Sequence, residues 1–271
     1  MAPPAERALW GWGGATALIV ALVTAAPALS RHDPNRMNIA LALRPPSAVH
    51  WFGTDEAGRD VLSRVLHGGR ESITAALVVI LAALVIGIVV GALAGWWRGT
   101  VDEILMRATD LFFAFPPLVL AMAITAALGP SLTNAVIAAI VVWWPTYARL
   151  VRGLVLSVRE REYVQVAYAL GASDGRVLWR YVAPNVVSSV VVLATLDVGH
   201  AILTFASLSF LGLGPPPEVP EWGSMIAAGR NYLDQWWIAT FPGLAILSLT
   251  IAFNVVGDSL RDFLDPRLRR V

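Results

Sequence analysis

The chain has 271 residues, of which 57% are hydrophobic and 14% are charged, and its mean hydropathy is +0.65. Soluble domains carry about 25% charged residues, so this composition indicates an integral membrane protein surrounded by lipid. The net charge of +1 excludes the strong positive field of a nucleic-acid-binding domain. The absence of cysteine excludes disulfides and thiolate metal sites.

All 20 basic residues are arginines, because the chain contains no lysine. The phosphate-binding loop of nucleotide hydrolases requires a lysine that contacts the phosphates, so any ATP and magnesium must be bound by another chain. The histidines His32, His50, His67 and His200 show no metal-binding spacing, and no hydrolase motif is present. We therefore expect no catalytic residue, no metal site and no cofactor in this chain.

Long uncharged segments predict six membrane-spanning helices, since a span needs about 20 apolar residues. The first is expected over residues 8–30, where a weak likeness of residues 26–28 to a signal-peptide cleavage site leaves removal of this helix as an alternative. A break at residues 128–131 divides one long segment into a tight helical hairpin. The other predicted spans cover residues 72–97, 111–128, 131–148, 185–213 and 236–257.

This pattern predicts an all-α polytopic membrane protein in two parts. Residues 1–71 are expected to form the first helix and an external loop. Residues 72–271 are expected to form the core, with five helices and a cytoplasmic loop at about 149–184. Thirteen arginines lie on the side of the termini and of this loop, against seven on the other side. The positive-inside rule therefore places both termini in the cytoplasm.

Three glycines, Gly87, Gly91 and Gly95, recur every four residues in the second predicted span. This spacing places three bare backbone patches on one helix face, which lets a neighbouring helix approach closely. The alternative is that glycine is simply frequent in membrane helices. We expect a close helix contact at this face.

The polar stretch at residues 149–184 holds six arginines between long apolar segments. Its middle predicts two short amphipathic helices, the first over about residues 161–170. Gly171 is expected to end the first helix in a left-handed turn, and Pro184 to end the second. A helix of this size fits a groove on a partner protein, although a solvated loop between spans is the alternative. The predicted apolar face of the first helix consists of Tyr163, Val166, Ala167 and Leu170.

The same stretch resembles the E-A-A-x-x-x-G-x9-I-x-L-P loop of ABC importer permeases. The chain reads Gln165-Val166-Ala167, three residues, Gly171, nine residues, and then Tyr181-Val182-Ala183-Pro184. The spacing matches in full, while the identities are limited to Ala167, Gly171 and Pro184. Further segments at residues 52–73, 101–121, 206–226 and 254–269 are similar to the second permease subunit of dipeptide, oligopeptide and nickel importers.

This resemblance implies a type I importer permease fold and a half-channel that pairs with a sister permease subunit. Two ABC ATPase subunits would bind ATP and magnesium, and an extracytoplasmic substrate-binding protein would deliver a peptide, a nickel chelate or a related solute. Closure of the ATPases would move the loop helix and tilt the spans between inward-open and outward-open states. The residues expected to contact the ATPase or to shape its contact are Tyr163, Gln165, Val166, Ala167, Leu170, Gly171 and Pro184.

Asp197 is a carboxylate inside the fifth predicted span, with His200 one turn further on. A charge at membrane depth usually faces the interior of a bundle or a water-filled path. Three interpretations are open: a translocation-path role toward a cationic amine of the cargo, a structural hydrogen bond or pair with His200, and a shifted helix register. Similar permeases often carry an acidic residue where this chain has Phe205, which lies on roughly the same helix face. Asp197 is therefore a candidate to compensate for it.

The alternative function is a secondary transporter or channel that works without ATP. Such a protein is expected to show paired intramembrane charges or inverted repeats. The sequence offers one intramembrane aspartate and no convincing internal repeat, and it lacks the clustered His/Asp or Ser/His set of a membrane-embedded enzyme.

Overall fold

The computed structural model describes the backbone of residues 4–264 and the side chains of residues 11–26 and 28–264. Within this range the chain is a bundle of helices, and its only extended pairing is an isolated bridge between Thr54 and Asp60. Arg267, Arg269 and Arg270, which entered the orientation prediction, lie outside the described residues. The helices are α1 (Pro4–Thr24), α2 (Ala26–Leu29), α3 (Val61–Trp97), α4 (Gly99–Phe113), α5 (Pro117–Leu128), α6 (Leu132–Arg159), α7 (Glu162–Ala169), α8 (Asp174–Val177), α9 (Ala183–Phe210), α10 (Trp222–Gly229) and α11 (Trp237–Leu264).

The helices agree with an all-α membrane fold. Four of the described helices are long and apolar enough to cross a membrane: α3, α6, α11 and the continuous helix Asp174–Phe210. A bent pair, α4 with α5, supplies a fifth candidate, and the apolar part of α1, Gly11–Thr24, is shorter. The predicted hairpin break is confirmed, because α5 ends at Leu128 and α6 begins at Leu132. The count of six spans stays a prediction that depends on α1 and on the bent pair.

The helix α3 begins at Val61, so the prediction of an external loop is wrong for residues 61–71. The N-cap is Asp60, whose Oδ2 accepts a 2.8 Å hydrogen bond from the backbone N–H of Ser63. In the sequence, Arg64 favours a solvated loop, because a charged side chain normally lies in solvent. Here its guanidinium is buried and donates to the carbonyl oxygen of Pro217 at 2.8 Å. The expected division after residue 71 therefore falls inside one helix.

The third predicted span is broken. The sequence predicts one span over residues 111–128, but α4 and α5 meet at an angle of 85°. Pro116 and Pro117 explain the break, because proline has no N–H and disfavours a helical conformation in the residue before it. The 12 residues of α5 extend only about 18 Å, which is shorter than the roughly 30 Å hydrocarbon core. Because α4 is nearly perpendicular to α5, the bent pair is either one broken span or a re-entrant loop.

Pro184 does not end a helix, contrary to the prediction. The preceding residues, Leu178–Val182, form a π-helical turn, in which the N–H of Ala183 bonds to the carbonyl of Leu178. The wider turn gives the proline ring room at the start of α9, where a regular α-turn would produce a clash with the preceding carbonyl. The helix consequently runs without a break from Asp174 to Phe210.

The glycine face of α3 packs against α6, as predicted. A Cβ on Gly87 would overlap Tyr147, and a Cβ on Gly91 would overlap the carbonyl oxygen of Ala148. A Cβ on Gly95 would lie 2.8 Å from the Cβ of Val155. The two backbones therefore approach each other more closely than any residue larger than glycine allows.

The bundle has two ends, which we call the α7 end and the α10 end. At the α7 end Leu264 of α11 shares a surface hollow with Pro184. At the α10 end the indole N–H of Trp222 donates to the carbonyl of Val65 at 2.8 Å, and Val23 of α1 lies against Gly69. The first helix therefore finishes at the α10 end and the last helix at the α7 end, as an even number of spans requires.

Candidate functional site

The short helix α7 is attached to the α7 end by its inner face. It covers Glu162–Ala169, close to the predicted 161–170. Val164 and Ala167 are buried, and Val164 belongs to a second apolar cluster that is separate from the main core. Because this cluster draws on α6 and on the helix that leads into α9, α7 is packed against both spans. The other buried members of the cluster are Val151, Val155, Val158, Val177, Val182, Val186 and Val190.

The outer face of α7 is apolar and exposed. Tyr163 is 42% exposed, Val166 55% and Leu170 83%. Of the four residues predicted to share an apolar face, only Ala167 is buried in the bundle, because Val164 supplies the other inner contact. These exposed apolar residues make the outer face of α7 a candidate contact surface.

Gly171 ends α7 in a left-handed turn, as predicted, with φ +85°. The N–H of Gly171 bonds to the carbonyl of Tyr168 at 2.9 Å, and the N–H of Ala172 bonds to the carbonyl of Ala167 at 3.0 Å. This pair of bonds is a Schellman motif. The motif fixes the direction in which the chain leaves α7 toward α8.

Two side chains of α7 hold it in place. The Nε2 of Gln165 donates to the carbonyl oxygen of Arg159, the last residue of α6, at 2.8 Å. The hydroxyl of Tyr168 donates to Oδ1 of Asp174 at 3.0 Å. Burial and the hydrogen bond to Asp174 raise the pKa of Tyr168 above its usual value. Gln165, one of the predicted coupling residues, thus orients α7 through α6.

Pro184, the last predicted coupling residue, lies beside α7 and not on it. It is exposed and lines a shallow hollow with Trp179 and Arg180. Tyr181, in the same hollow, approaches Tyr163 of α7 with ring centroids 5.9 Å apart. The predicted coupling residues are therefore brought together at one end of the bundle, in two adjacent patches.

Half of the six arginines of the polar stretch bind other parts of this chain. Arg152 forms a bidentate pair with Asp102 of α4, with one N–O distance of 2.6 Å. Arg149 pairs with Asp110 at 2.6 Å. Arg159 donates to the carbonyl oxygens at the C-terminus of α3, where it stacks on Trp96. The other three, Arg161, Arg176 and Arg180, are exposed.

Asp197 is buried inside the bundle, and its partner is Tyr147. The hydroxyl of Tyr147 donates to Oδ2 of Asp197 at 2.8 Å. The Nδ1 of His200 is 3.8 Å from Oδ1, which is too long for a hydrogen bond. Among the three interpretations, the structural hydrogen bond is therefore present, but to a tyrosine of α6 that the sequence analysis did not name.

The three residues predicted for a translocation path do not share one environment. The side chain of His200 is 63% exposed. Asp197 is buried, and Phe205 is 1% exposed within the chain's own core. Phe205 and Asp197 do lie on one buried face of α9, as expected. Of these three side chains, only that of His200 is exposed at the surface.

A cavity of about 440 Å³ opens at the α10 end. Its lining includes the buried ion pair of Asp55 and Arg59, with Nε and Oδ2 2.6 Å apart. Arg59 and Arg64 both donate to the carbonyl oxygen of Pro217, at 2.9 and 2.8 Å. The proline-rich loop between α9 and α10, residues 211–221, is thereby fastened over the start of α3.

Sequence comparison with known proteins identifies a family and its relatives. Residues 87–270 match the family described as "Binding-protein-dependent transport system inner membrane component". The "Probable D,D-dipeptide transport system permease protein DdpC" of Escherichia coli is 49% identical over 251 residues, which are 92% of this chain and 84% of the relative. The "Nickel transport system permease protein NikC" of Escherichia coli is 41% identical over 267 residues, 95% of either chain.

A third relative and a solved structure extend this comparison. The "Dipeptide transport system permease protein DppC" of Alkalihalophilus pseudofirmus is 41% identical over 245 residues, 90% of this chain and 81% of the relative. A chain of the inward-facing MetNI methionine ABC transporter superposes with a TM-score of 0.63 at 17% identity, covering 75% of this chain and 97% of that chain. The structural likeness concerns the fold, and it confirms the expected permease architecture.

Proposed function

We propose that this chain, which belongs to the family of binding-protein-dependent transport system inner membrane components, couples its half of a translocation path to a separate ATPase through α7. Like its relatives, it is a permease subunit of an ABC importer and not itself an ATPase. The main support for this coupling is that α7 has two different faces. Val164 and Ala167 are buried on one face, and the other face is apolar and exposed.

The exposed face provides the contact for the ATPase. Tyr163, Val166 and Leu170 present apolar area at the α7 end, and a groove on a partner would bury it. The inner face transmits movement, because Val164 belongs to the same valine cluster that joins α6 to α9. Gln165 and the turn at Gly171 keep the helix in one orientation. A displacement of α7 is therefore passed to two spans at once.

The remaining partners follow from the family. A sister permease subunit completes the path, two ABC ATPase subunits bind ATP and magnesium, and an extracytoplasmic binding protein delivers the cargo. We propose peptides or related small solutes as cargo, with a nickel chelate as the next class, because the dipeptide relative is 49% identical and the nickel relative 41%. The arginine distribution supports a cytoplasmic location for α7 and for both termini.

The test replaces an exposed leucine on the proposed contact and an equally exposed leucine elsewhere. Leu170 and Leu233 are both 83% exposed, and Leu233 lies near the α10 end. Leu170→Asp should reduce co-purification of the ATPase subunits from native membranes in mild detergent, because a carboxylate in an apolar groove is costly. Leu233→Asp should leave that association unchanged. Membrane levels of both variants are compared by immunoblot.

Two results would count against the proposal. Equal recovery of the ATPases with Leu170→Asp and with Leu233→Asp would remove α7 from the contact. Purification of the unmodified chain without any ATPase, as a stable oligomer of itself, would favour the secondary transporter instead.

A further inference from the structure

Two histidines and an aspartate that are far apart in the sequence meet at the α10 end. His32, His50 and Asp60 each present one ligand atom, and these atoms all lie within 4.8 Å of one another. The side chain of His32 is 34% exposed and that of His50 13%, while Asp60 is buried. The cluster is thus reachable from solvent on its histidine side.

The carboxylate of Asp60 has one oxygen available for the two imidazoles. Its Oδ2 already accepts hydrogen bonds from the N–H and the hydroxyl of Ser63, at 2.8 and 2.7 Å. Its Oδ1 lies 2.9 Å from Nδ1 of His50 and 3.8 Å from Nδ1 of His32. A hydrogen bond accounts for His50, but it does not account for the second imidazole directed at the same oxygen.

The backbone segments that carry these residues are held together by other contacts. The guanidinium of Arg31 lies 4.4 Å from the ring centroid of Trp51, so the neighbours of His32 and His50 also contact each other. Arg64 donates to the carbonyl oxygen of Pro34 at 3.2 Å. The imidazole rings of His32 and His50 are 4.7 Å apart. The cluster is therefore positioned before any ligand binds.

We propose that His32, His50 and Asp60 bind one divalent transition-metal ion of the zinc class. Two imidazole nitrogens and one carboxylate oxygen form a borderline ligand set that suits zinc or nickel, whereas calcium and magnesium prefer oxygen ligands. Bonds of about 2.0–2.2 Å require His32 to move closer to Oδ1, and its partial exposure allows this. A water molecule would complete a tetrahedral site. The ion ties the segment around residue 32 to the first turn of α3.

The test measures zinc binding to the full-length chain in its solubilised membrane complex, carried on a tag without histidines and stripped with EDTA. Zinc is titrated in competition with a chromophoric chelator. The His32→Ala, His50→Ala double variant should bind one zinc ion per chain fewer than the unmodified protein. Either single variant should bind this ion at least about tenfold more weakly. The control is His67→Ala, because His67 lies on α3 outside the cluster.

Thermal stability separates metal binding from misfolding. Zinc should raise the melting temperature of the unmodified complex and of His67→Ala, since an ion that binds only the folded state stabilises it. The double variant should show no such rise. If it fails to assemble, His32→Ala alone serves, because it removes no hydrogen bond to Asp60. Equal zinc stoichiometry and affinity in the unmodified protein and in these variants would overturn the proposal.

Discussion

The hydroxyl of Tyr147 donates a 2.8 Å hydrogen bond to Asp197 and so joins α6 to α9 inside the bundle. On its other side Tyr147 packs against Gly87 of α3. Three spans therefore meet at one tyrosine. An unpaired carboxylate at membrane depth is costly, and the hydroxyl of Tyr147, not the imidazole of His200, is its hydrogen-bond partner.

We expect Tyr147→Phe to destabilise the assembled complex by about 1–3 kcal/mol, because it leaves the buried carboxylate of Asp197 without its hydrogen bond. The measurement is thermal unfolding of the solubilised complex. His200→Ala is the control and should change stability by less than about 0.5 kcal/mol, since His200 is exposed and makes no hydrogen bond to Asp197. Equal effects of the two substitutions would contradict the assignment of Tyr147 as the partner.

Asp197→Asn tests whether the charge itself takes part in transport. An asparagine oxygen still accepts the hydrogen bond from Tyr147, so the structural interpretation predicts uptake kinetics close to those of the unmodified importer. The measurement is initial uptake of labelled dipeptide into cells that depend on this importer. A large loss of uptake, with normal assembly, would show that the carboxylate has a function in the path that its burial does not reveal.

Gly91→Ala should destabilise the protein by about 1–3 kcal/mol, because the added methyl group overlaps the backbone of α6 at Ala148. Gly243→Ala in α11 is the matched control, since a Cβ there has no atom within 4 Å. The control should be neutral or slightly stabilising, as alanine favours a helix over glycine. Thermal unfolding compares the two. A Gly91→Ala protein as stable as the control would contradict the close contact of α3 and α6.

Gly171→Asp should reduce ATP-driven uptake severalfold while the chain stays in the membrane. The space around Gly171 is open, so the effect comes from the positive φ of +85°, which costs a residue with a Cβ roughly 1 kcal/mol or more. The same substitution at Gly175 introduces the same charge into the same loop, at an ordinary φ and again in open space. Uptake by Gly175→Asp should exceed that by Gly171→Asp. Similar uptake in both would remove the turn from the coupling mechanism.

The absence of cysteine makes the orientation directly measurable. Leu170→Cys and Leu233→Cys each introduce one thiol at a site that is 83% exposed. A membrane-impermeant maleimide applied to intact cells should label Leu233→Cys, and it should label Leu170→Cys only after permeabilisation and removal of the ATPase subunits. The reverse pattern would place α7 outside the cell and exclude its contact with a cytoplasmic ATPase.

Periodicity and spacing were sufficient for the parts of the fold that depend on local sequence. The glycine face of α3, the break at residue 129 and the left-handed turn at Gly171 were predicted correctly, because each follows from residues adjacent along one helix or turn. The family resemblance added the permease architecture. The inner face of α7 was only half predicted: Val164 packs inward with Ala167, while Tyr163 and Leu170 face outward.

The errors have a common origin in long-range contacts. Arg64 was assigned to a loop because its partners, Pro34 and Pro217, are 30 and 153 residues away. Tyr147 lies 50 residues from Asp197. The spacing of the histidines along the chain likewise gives no sign that folding brings His32 and His50 together at the N-cap of α3. At Pro184 the rule that proline ends a helix failed, because a π-turn accommodates the ring.

The π-turn before Pro184 has a mechanical consequence. The π-turn keeps the helix unbroken over 37 residues from Asp174 to Phe210. The continuous helix is therefore about 55 Å long. A rotation of this helix by roughly 5° about its end at the ATPase contact would displace its other end by about 5 Å. The far end of this helix continues directly into the proline-rich loop. In this loop the carbonyl oxygen of Pro217 accepts hydrogen bonds from Arg59 and Arg64. If the helix tilts as one body, a small displacement at the α7 end would therefore reach this loop at the α10 end.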